Sequence, residues 1–233
     1  DPTYSYEMAV IIQDGMRRMV EEQENVFYYI TSLNENYVQP EMPDGVIDGI
    51  IKGMYLLSES VKTKAKKAQN KVQLLGSGAI LNEVIAAADI LLTDFAIRAD
   101  IWSVTSFNEL SREAQDVRRW NLLHPEKKPR ISFVASLLTD HDSPVIAATD
   151  YMKSYAEQIR REVTAEYVTL GTDGFGRSDS RENLRKFFEV DRHFIALAAL
   201  KALADSGKIP VKTVSSAMKK FGISAEKLNP AHN

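Results

Sequence analysis

Two stretches of the chain carry residue types that could do chemistry. The first is Gly76-Ser77-Gly78-Ala79-Ile80-Leu81, a G-x-G that follows an apolar run and opens a helical one. Backbone N–H groups at such a helix start can hold a phosphate. The dinucleotide fingerprint wants a third small residue where Leu81 stands, so Gly76, Ser77 and Gly78 form a partial motif. They read either as an anion site or as a tight strand-to-helix turn. The second stretch is GTDGFGRSDSRE, residues 171–182. Its glycines let the backbone turn sharply, and Arg177 and Arg181 could grip a carboxylate or phosphate with paired hydrogen bonds. Asp179 and Glu182 have the spacing of a capping box. Asp173 and Asp179 would repel an anion, so Asp173, Arg177, Asp179 and Arg181 read first as a loop brace or subunit contact and second as an anion site.

Other chemistries are excluded by residue type. The 233 residues include no cysteine, which removes disulfides, thiolate nucleophiles, Cys-ligated zinc and iron–sulfur clusters. His124, His141, His193 and His232 stand alone, without an i, i+4 pair or a carboxylate cluster of metal-ligand spacing. Neither a G-x-S-x-G elbow nor a P-loop occurs. From residue types alone, no catalytic, cofactor-binding or metal-binding residue can be named.

The elements that would position these stretches follow from hydrophobic period. Met8, Ile12, Gly15, Met16 and Met19 share one helical stripe, with Asp14, Arg17, Arg18 and Glu21 turned away. Residues 26–31, VFYYIT, have strand composition. Residues 33–43 hold two prolines and read as a crossing loop, and 44–57 as a short helix. Lys62, Lys64, Lys66, Lys67 and Lys71 form a basic linker, which puts a domain boundary between residues 34 and 71. Strands are then expected at 71–75, 99–105, 145–149 and 167–170. Helices are expected at 81–95, 108–120 and 133–138, and beyond Asp150, which caps a helix with Met152, Tyr155, Ala156 and Ile159 inward. Two final helices run from the N-cap Asp191 to 206 and from 211 to 221. This alternation predicts an α/β fold: a doubly wound, mostly parallel sheet with helices on both faces.

Composition narrows the partners. Lys plus Arg number 29 against 32 Asp plus Glu, a net charge of −3, which argues against a nucleic-acid binder. The lysine run lacks interleaved aromatics and reads as a solvated linker. Asp89 and Lys201 interrupt the longest apolar stretches, well short of the roughly 20 residues a membrane span needs. Without a signal peptide, the expected compartment is cytoplasmic. The opening at Asp1-Pro2, already close to an amphipathic helix, reads as a piece of something longer.

Four stretches carry a resemblance: residues 27–37 (FYYITSLNENY), 105–110 (TSFNEL), 119–125 (RWNLLHP) and 171–191 (GTDGFGRSDSRENLRKFFEVD). Together they resemble the carboxyl-terminal part of the decarboxylating first component of pyruvate dehydrogenase, the homodimeric bacterial type in the transketolase-like superfamily. The resemblance implies that residues 1–43 end a pyrimidine-binding domain and that 44–233 form a transketolase-type carboxyl-terminal domain. The whole enzyme would decarboxylate pyruvate with thiamine diphosphate and magnesium and pass the acetyl unit to lipoyl groups of a dihydrolipoyl acetyltransferase. In the family, Gly-Asp-Gly and Asn-Asn hold the cofactor and metal. This chain has neither, since no glycine precedes Asp173-Gly174. The implied role is structural and dimer-forming, with acetyltransferase docking left to the amino-terminal region. Two alternatives remain: a regulatory Rossmann-like module binding a nucleotide or small anion at Gly76, Ser77 and Gly78, and a transketolase or other 2-oxo-acid dehydrogenase.

Overall fold

A computed structural model describes residues 1–60 and 70–232. The chain begins with α1 (Ser5–Met16), which passes into a π-helical turn at Arg17–Glu21. After an extended stretch come α2 (Ile47–Lys52) and β1 (Tyr55–Ser58). The lysines from Lys62 to Lys67 fall outside the described residues. From β2 (Lys71–Gly76) onward strand and helix alternate: α3 (Ile80–Phe95), β3 (Arg98–Ser103), α4 (Phe107–Leu123), α5 (Phe133–Leu137), β4 (Val145–Ala148), α6 (Lys153–Glu157) and β5 (Tyr167–Leu170). Three helices close the fold: α7 (Arg181–Phe187), α8 (Arg192–Asp205) and α9 (Val211–Phe221).

The sheet order is β1-β3-β2-β4-β5, parallel throughout except for β1, which runs antiparallel to β3. The apolar runs of β2 and β4 are explained by burial on both sides. Val72, Leu74, Ile101 and Ile146 meet α3, α8 and α9 on one face. Leu75, Trp102, Ala147 and Tyr167 meet α4, α5 and α6 on the other. Gln73, buried within the sheet, bridges two residues of β3. The Trp102 indole N–H donates to Gln73 at 2.6 Å, and the Gln73 amide donates to Asp100 at 3.0 Å. The expected α/β class is therefore present, with helices on both faces. No helix among the described residues is long and apolar enough to cross a membrane.

Several local expectations are corrected. The helix expected over 44–57 stops at Lys52, because Gly53 takes a left-handed φ of +105° as its C-cap. A side chain at Gly53 would also meet the Ser106 carbonyl at 2.6 Å. The chain then turns back as β1, a fifth strand hidden inside the helical reading. Residues 26–31 are extended but have no sheet partner among the described residues. The stripe of Met8, Ile12, Gly15, Met16 and Met19 is not the buried face of the first helix. Ile12, Met16 and Met19 are exposed, while Glu7, Asp14 and Gly15 are buried. Two carboxylates turn inward because donors await them there. Met152, not Asp150, is the N-cap of α6, and Met152 and Tyr155 are exposed while Ala156 and Ile159 are buried. The N-cap of α7 is Ser180, which accepts from the Asn183 N–H at 3.3 Å, so Asp179 and Glu182 form no capping box.

Leu74 sits in the central strand and is fully buried. Leu74→Ala should lower stability by about 3 kcal/mol through lost burial and a residual cavity. A urea titration should show a lower midpoint at unchanged slope.

Candidate functional site

In open α/β sheets ligands gather at the carboxyl ends of the strands, where the strand order reverses. Here the reversal falls between β2 and β4, and the chain's own first residues fill it. The Gly78 N–H donates to the Asp1 carbonyl at 3.1 Å, and the Thr3 hydroxyl donates to the Gly78 carbonyl at 2.7 Å. Gly78 has a φ of +52°, and a Cβ there would lie 2.7 Å from an Asp1 carboxylate oxygen. The Ser77 hydroxyl donates to Thr149 at 2.9 Å. Gly76, Ser77 and Gly78 thus form a tight turn whose polar groups serve the fold, and an internal carboxylate stands where an anion would.

Glu7 anchors this first segment. Its side chain is fully buried and accepts from Thr3 N–H at 2.5 Å, Tyr4 N–H at 3.0 Å, Tyr55 hydroxyl at 2.7 Å and Ser103 hydroxyl at 2.6 Å. The bond to Tyr4 serves the start of α1, since the third helical residue satisfies an orphan N–H. The bonds to Tyr55 and Ser103 bind the helix to β1 and β3. Asp14 does similar work further along, accepting from Tyr28 hydroxyl at 2.6 Å and pairing with Arg17 at 2.7 Å.

A second set of charges lies where α3 meets α7 and α8. Glu83, on α3, accepts from the Arg192 backbone N–H at 3.0 Å and from its guanidinium at 2.9 and 3.0 Å. Arg185 reaches Glu83 at 3.5 Å and pairs closely with Glu35 from the first segment. Burial works against the charged form of Glu83, but the Arg192 hydrogen bonds and the Arg192 and Arg185 charges outweigh it. Its carboxyl is held below its ordinary value.

Beside these ions a cavity of about 270 Å³ opens at the carboxyl ends of β4 and β5. Arg177 and Arg181 both line it, so two of the four charged residues singled out from the sequence converge. Arg181 donates to the backbone and side-chain oxygens of Asn34. Arg177 stacks on Phe187, 4.2 Å from the ring centre, and no carboxylate lies within ion-pair distance of it among the described residues. The other two are engaged elsewhere. Asp173 accepts from the Lys153 N–H at 3.1 Å, and Asp179 accepts from Ser180 N–H at 2.7 Å and Asn183 side chain at 2.9 Å. Asp150 lines the cavity as well, and burial pushes its carboxyl above its ordinary value against the pull of Arg185. Among the described residues, no group of His, Cys, Asp and Glu is placed to hold a metal ion.

Comparison with known proteins identifies the family. The model of the transketolase-like TK C-terminal domain matches residues 53–191, more than half of the chain. The chain belongs to this family. A second model, the pyruvate dehydrogenase E1 component middle domain, matches residues 1–40. The pyruvate dehydrogenase E1 component of Pseudomonas aeruginosa is 62% identical over 231 residues, covering 99% of this chain and 26% of that protein. The E1 component of Cupriavidus necator is 56% identical over 230 residues, covering 99% and 25%. That of Escherichia coli K12 is 54% identical over 232 residues, again covering 99% and 25%. The resemblance drawn from the sequence is thereby shown: this transketolase-type chain matches a carboxyl-terminal part of pyruvate dehydrogenase E1 components. It spans about a quarter of the length of these relatives. Among solved structures, a transketolase from Pichia stipitis aligns with 73% of this chain and 21% of its own, at 19% identity and a TM-score of 0.47.

Sequence reasoning missed Glu7, Glu83, Arg185 and the cavity-facing role of Asp150. A carboxylate inside an otherwise apolar helical stretch was the available signal for Glu83, which sits between Leu81 and Val84.

Two consequences can be measured. Glu83→Gln leaves two guanidinium groups short of a counter-charge and should cost about 3 kcal/mol at pH 7. Because the folded carboxyl titrates below its unfolded value, that stability is present above about pH 4 and lost as pH falls through the folded value. Urea midpoints of wild type and variant should therefore converge in acid. Asp150 has the opposite sign, since its raised folded value means the charged form weakens the fold at neutral pH. Asp150→Asn should raise the thermal midpoint at pH 7, and the gain should shrink toward pH 4.

Proposed function

We propose that this chain serves as the carboxyl-terminal part of a pyruvate dehydrogenase E1 component, with residues 1–43 completing a middle domain and 44–233 forming the transketolase-type domain. The supporting observation is 62% identity to such a component across 99% of the chain. In this reading the whole protein decarboxylates pyruvate with thiamine diphosphate and magnesium. It hands the acetyl unit to lipoyl groups of an acetyltransferase and works as a cytoplasmic homodimer. Substrate and cofactor are held by regions outside this chain, and its own work is architectural.

The residues present do not fit the cofactor. Asp173, the acid nearest in sequence to a Gly-Asp-Gly pattern, is committed to the start of α6. The described residues bring no acidic cluster together for magnesium. No step of the reaction is therefore assigned to a residue here. The first segment supports the reading in a different way. Phe27 and Tyr29 are 86% and 87% exposed, and Ile12, Met16, Val20 and Val38 of the same segment are exposed as well. Side chains of this kind on a strand-like stretch fit a sheet and a cover supplied by the rest of the protein.

Titration calorimetry of this chain with thiamine diphosphate and magnesium should give no specific heat; micromolar binding would falsify the architectural assignment. Amide hydrogen exchange tests the domain assignment. Residues 27–33 should exchange freely in the chain alone and at least about tenfold more slowly in the full-length protein, as expected when backbone N–H groups gain ladder partners. Equal rates in both would count against it.

A further inference from the structure

The cavity at the ends of β4 and β5 has features that architecture alone does not require. One wall is cationic. Arg177 is held flat by Phe187, and its fork of N–H donors has no carboxylate partner among the described residues. Arg181 is braced by Asn34 through one nitrogen and lies 3.8 Å from Glu35 through Nε, and its half-exposed side chain keeps its other terminal nitrogen free of protein partners among the described residues. Arg185 is held more tightly, by Glu35 and Glu83 together. The remaining surface is apolar, from Leu33, Leu184 and Phe188. The lining also includes Asp150, whose carboxylate accepts no hydrogen bond among the described residues, although its backbone carbonyl accepts from Thr172 at 2.6 Å. An acceptor placed against two arginines would ordinarily be drawn into an ion pair within 4 Å. None forms here, and all three residues line the same cavity.

We propose that this cavity binds a small organic anion, its carboxylate or phosphate held by Arg177 and Arg181 and its hydroxyl or amine donating to Asp150. Arginine forks suit both anions, because paired N–H donors match the spacing of two acidic oxygens. The carboxylate of Asp150 gives selectivity. It penalises a bare anion by repulsion and rewards one that brings a donor to its unpartnered oxygens. A volume of about 270 Å³ has room for a small organic molecule together with its charged group. The inference does not rest on the pyruvate dehydrogenase reading, and its test reads binding rather than turnover.

The test is titration calorimetry of the full-length protein with glycerol 3-phosphate, glycerate, inorganic phosphate and glycerol. One of the two hydroxyl-bearing anions should saturate at millimolar concentration or below, more tightly than inorganic phosphate, with glycerol silent. Which of them binds distinguishes a phosphomonoester site from a carboxylate site. Arg177→Gln and Arg181→Gln should each weaken that binding at least about tenfold, the scale of a lost charge-assisted hydrogen bond. Arg161→Gln, an exposed arginine outside the cavity, should leave it unchanged. Asp150→Asn should tighten inorganic phosphate while erasing the preference for the hydroxyl-bearing probe, a split that a merely structural aspartate would not produce. Thermal midpoints confirm that each variant folds. The proposal is overturned if no anion saturates, if glycerol binds as well as the anions, or if folded Arg177 and Arg181 variants bind as the wild type does.

Discussion

The buried carboxylate of Glu7 is the constraint on which the arrangement of the chain depends. A carboxylate taken out of water without compensation is among the most expensive groups a protein can bury. Here it is tolerated because four donors converge on it from three separate places: the start of its own helix, β1 and β3. The logic runs in both directions. Tyr55 and Ser103 keep their hydroxyls inside because Glu7 accepts from them, and Glu7 stays inside because they donate. The first segment is thereby seated on the edge of the sheet, and the same seating carries Asp1 and Thr3 into the crevice above Gly78.

The second charge network extends that principle to the far side. Glu83 fixes the start of α8 through Arg192, and Arg185 carries the link from α3 to Glu35 in the first segment. The segment is therefore tied at both ends by polar contacts, while its middle makes few apolar ones. The cavity forms in the angle between these ties. Charges placed to hold elements together line it, and Arg177, which has no carboxylate partner among the described residues, gives it chemical character.

How legible this was in the sequence depended on what each residue faced. β2 and β4 could be read directly, because a strand covered on both sides must be apolar at every position, as VIAA and VQLLG nearly are. α8 and α9 were equally plain from Asp191, Gly207, Pro210 and Gly222 at their ends. The first helix misled because period-based reading assumes that carboxylates face water, and Glu7 and Asp14 do not. β1 was invisible because its four residues lie just after a helix whose end is set by one glycine conformation. Residues 26–31 show the converse, with strand chemistry in full but no neighbour to pair with. The cavity was half legible: Arg177 and Arg181 stood out by type, whereas Asp150 looked like an ordinary helix cap. Its role comes from a fold that brings residues 33, 150 and 181 together, which no local pattern records.

The unpaired stretch VFYYIT has a material consequence for handling the chain by itself. It is six residues long, β-branched and aromatic, without charge, proline or glycine, and its outward side chains Phe27 and Tyr29 are almost wholly bare. Segments of that composition with free backbone donors and acceptors template one another into stacked sheets. In concentrated solution of the isolated chain, this region is where self-association is expected to start. A lysine or proline introduced there would act as a gatekeeper without touching the core.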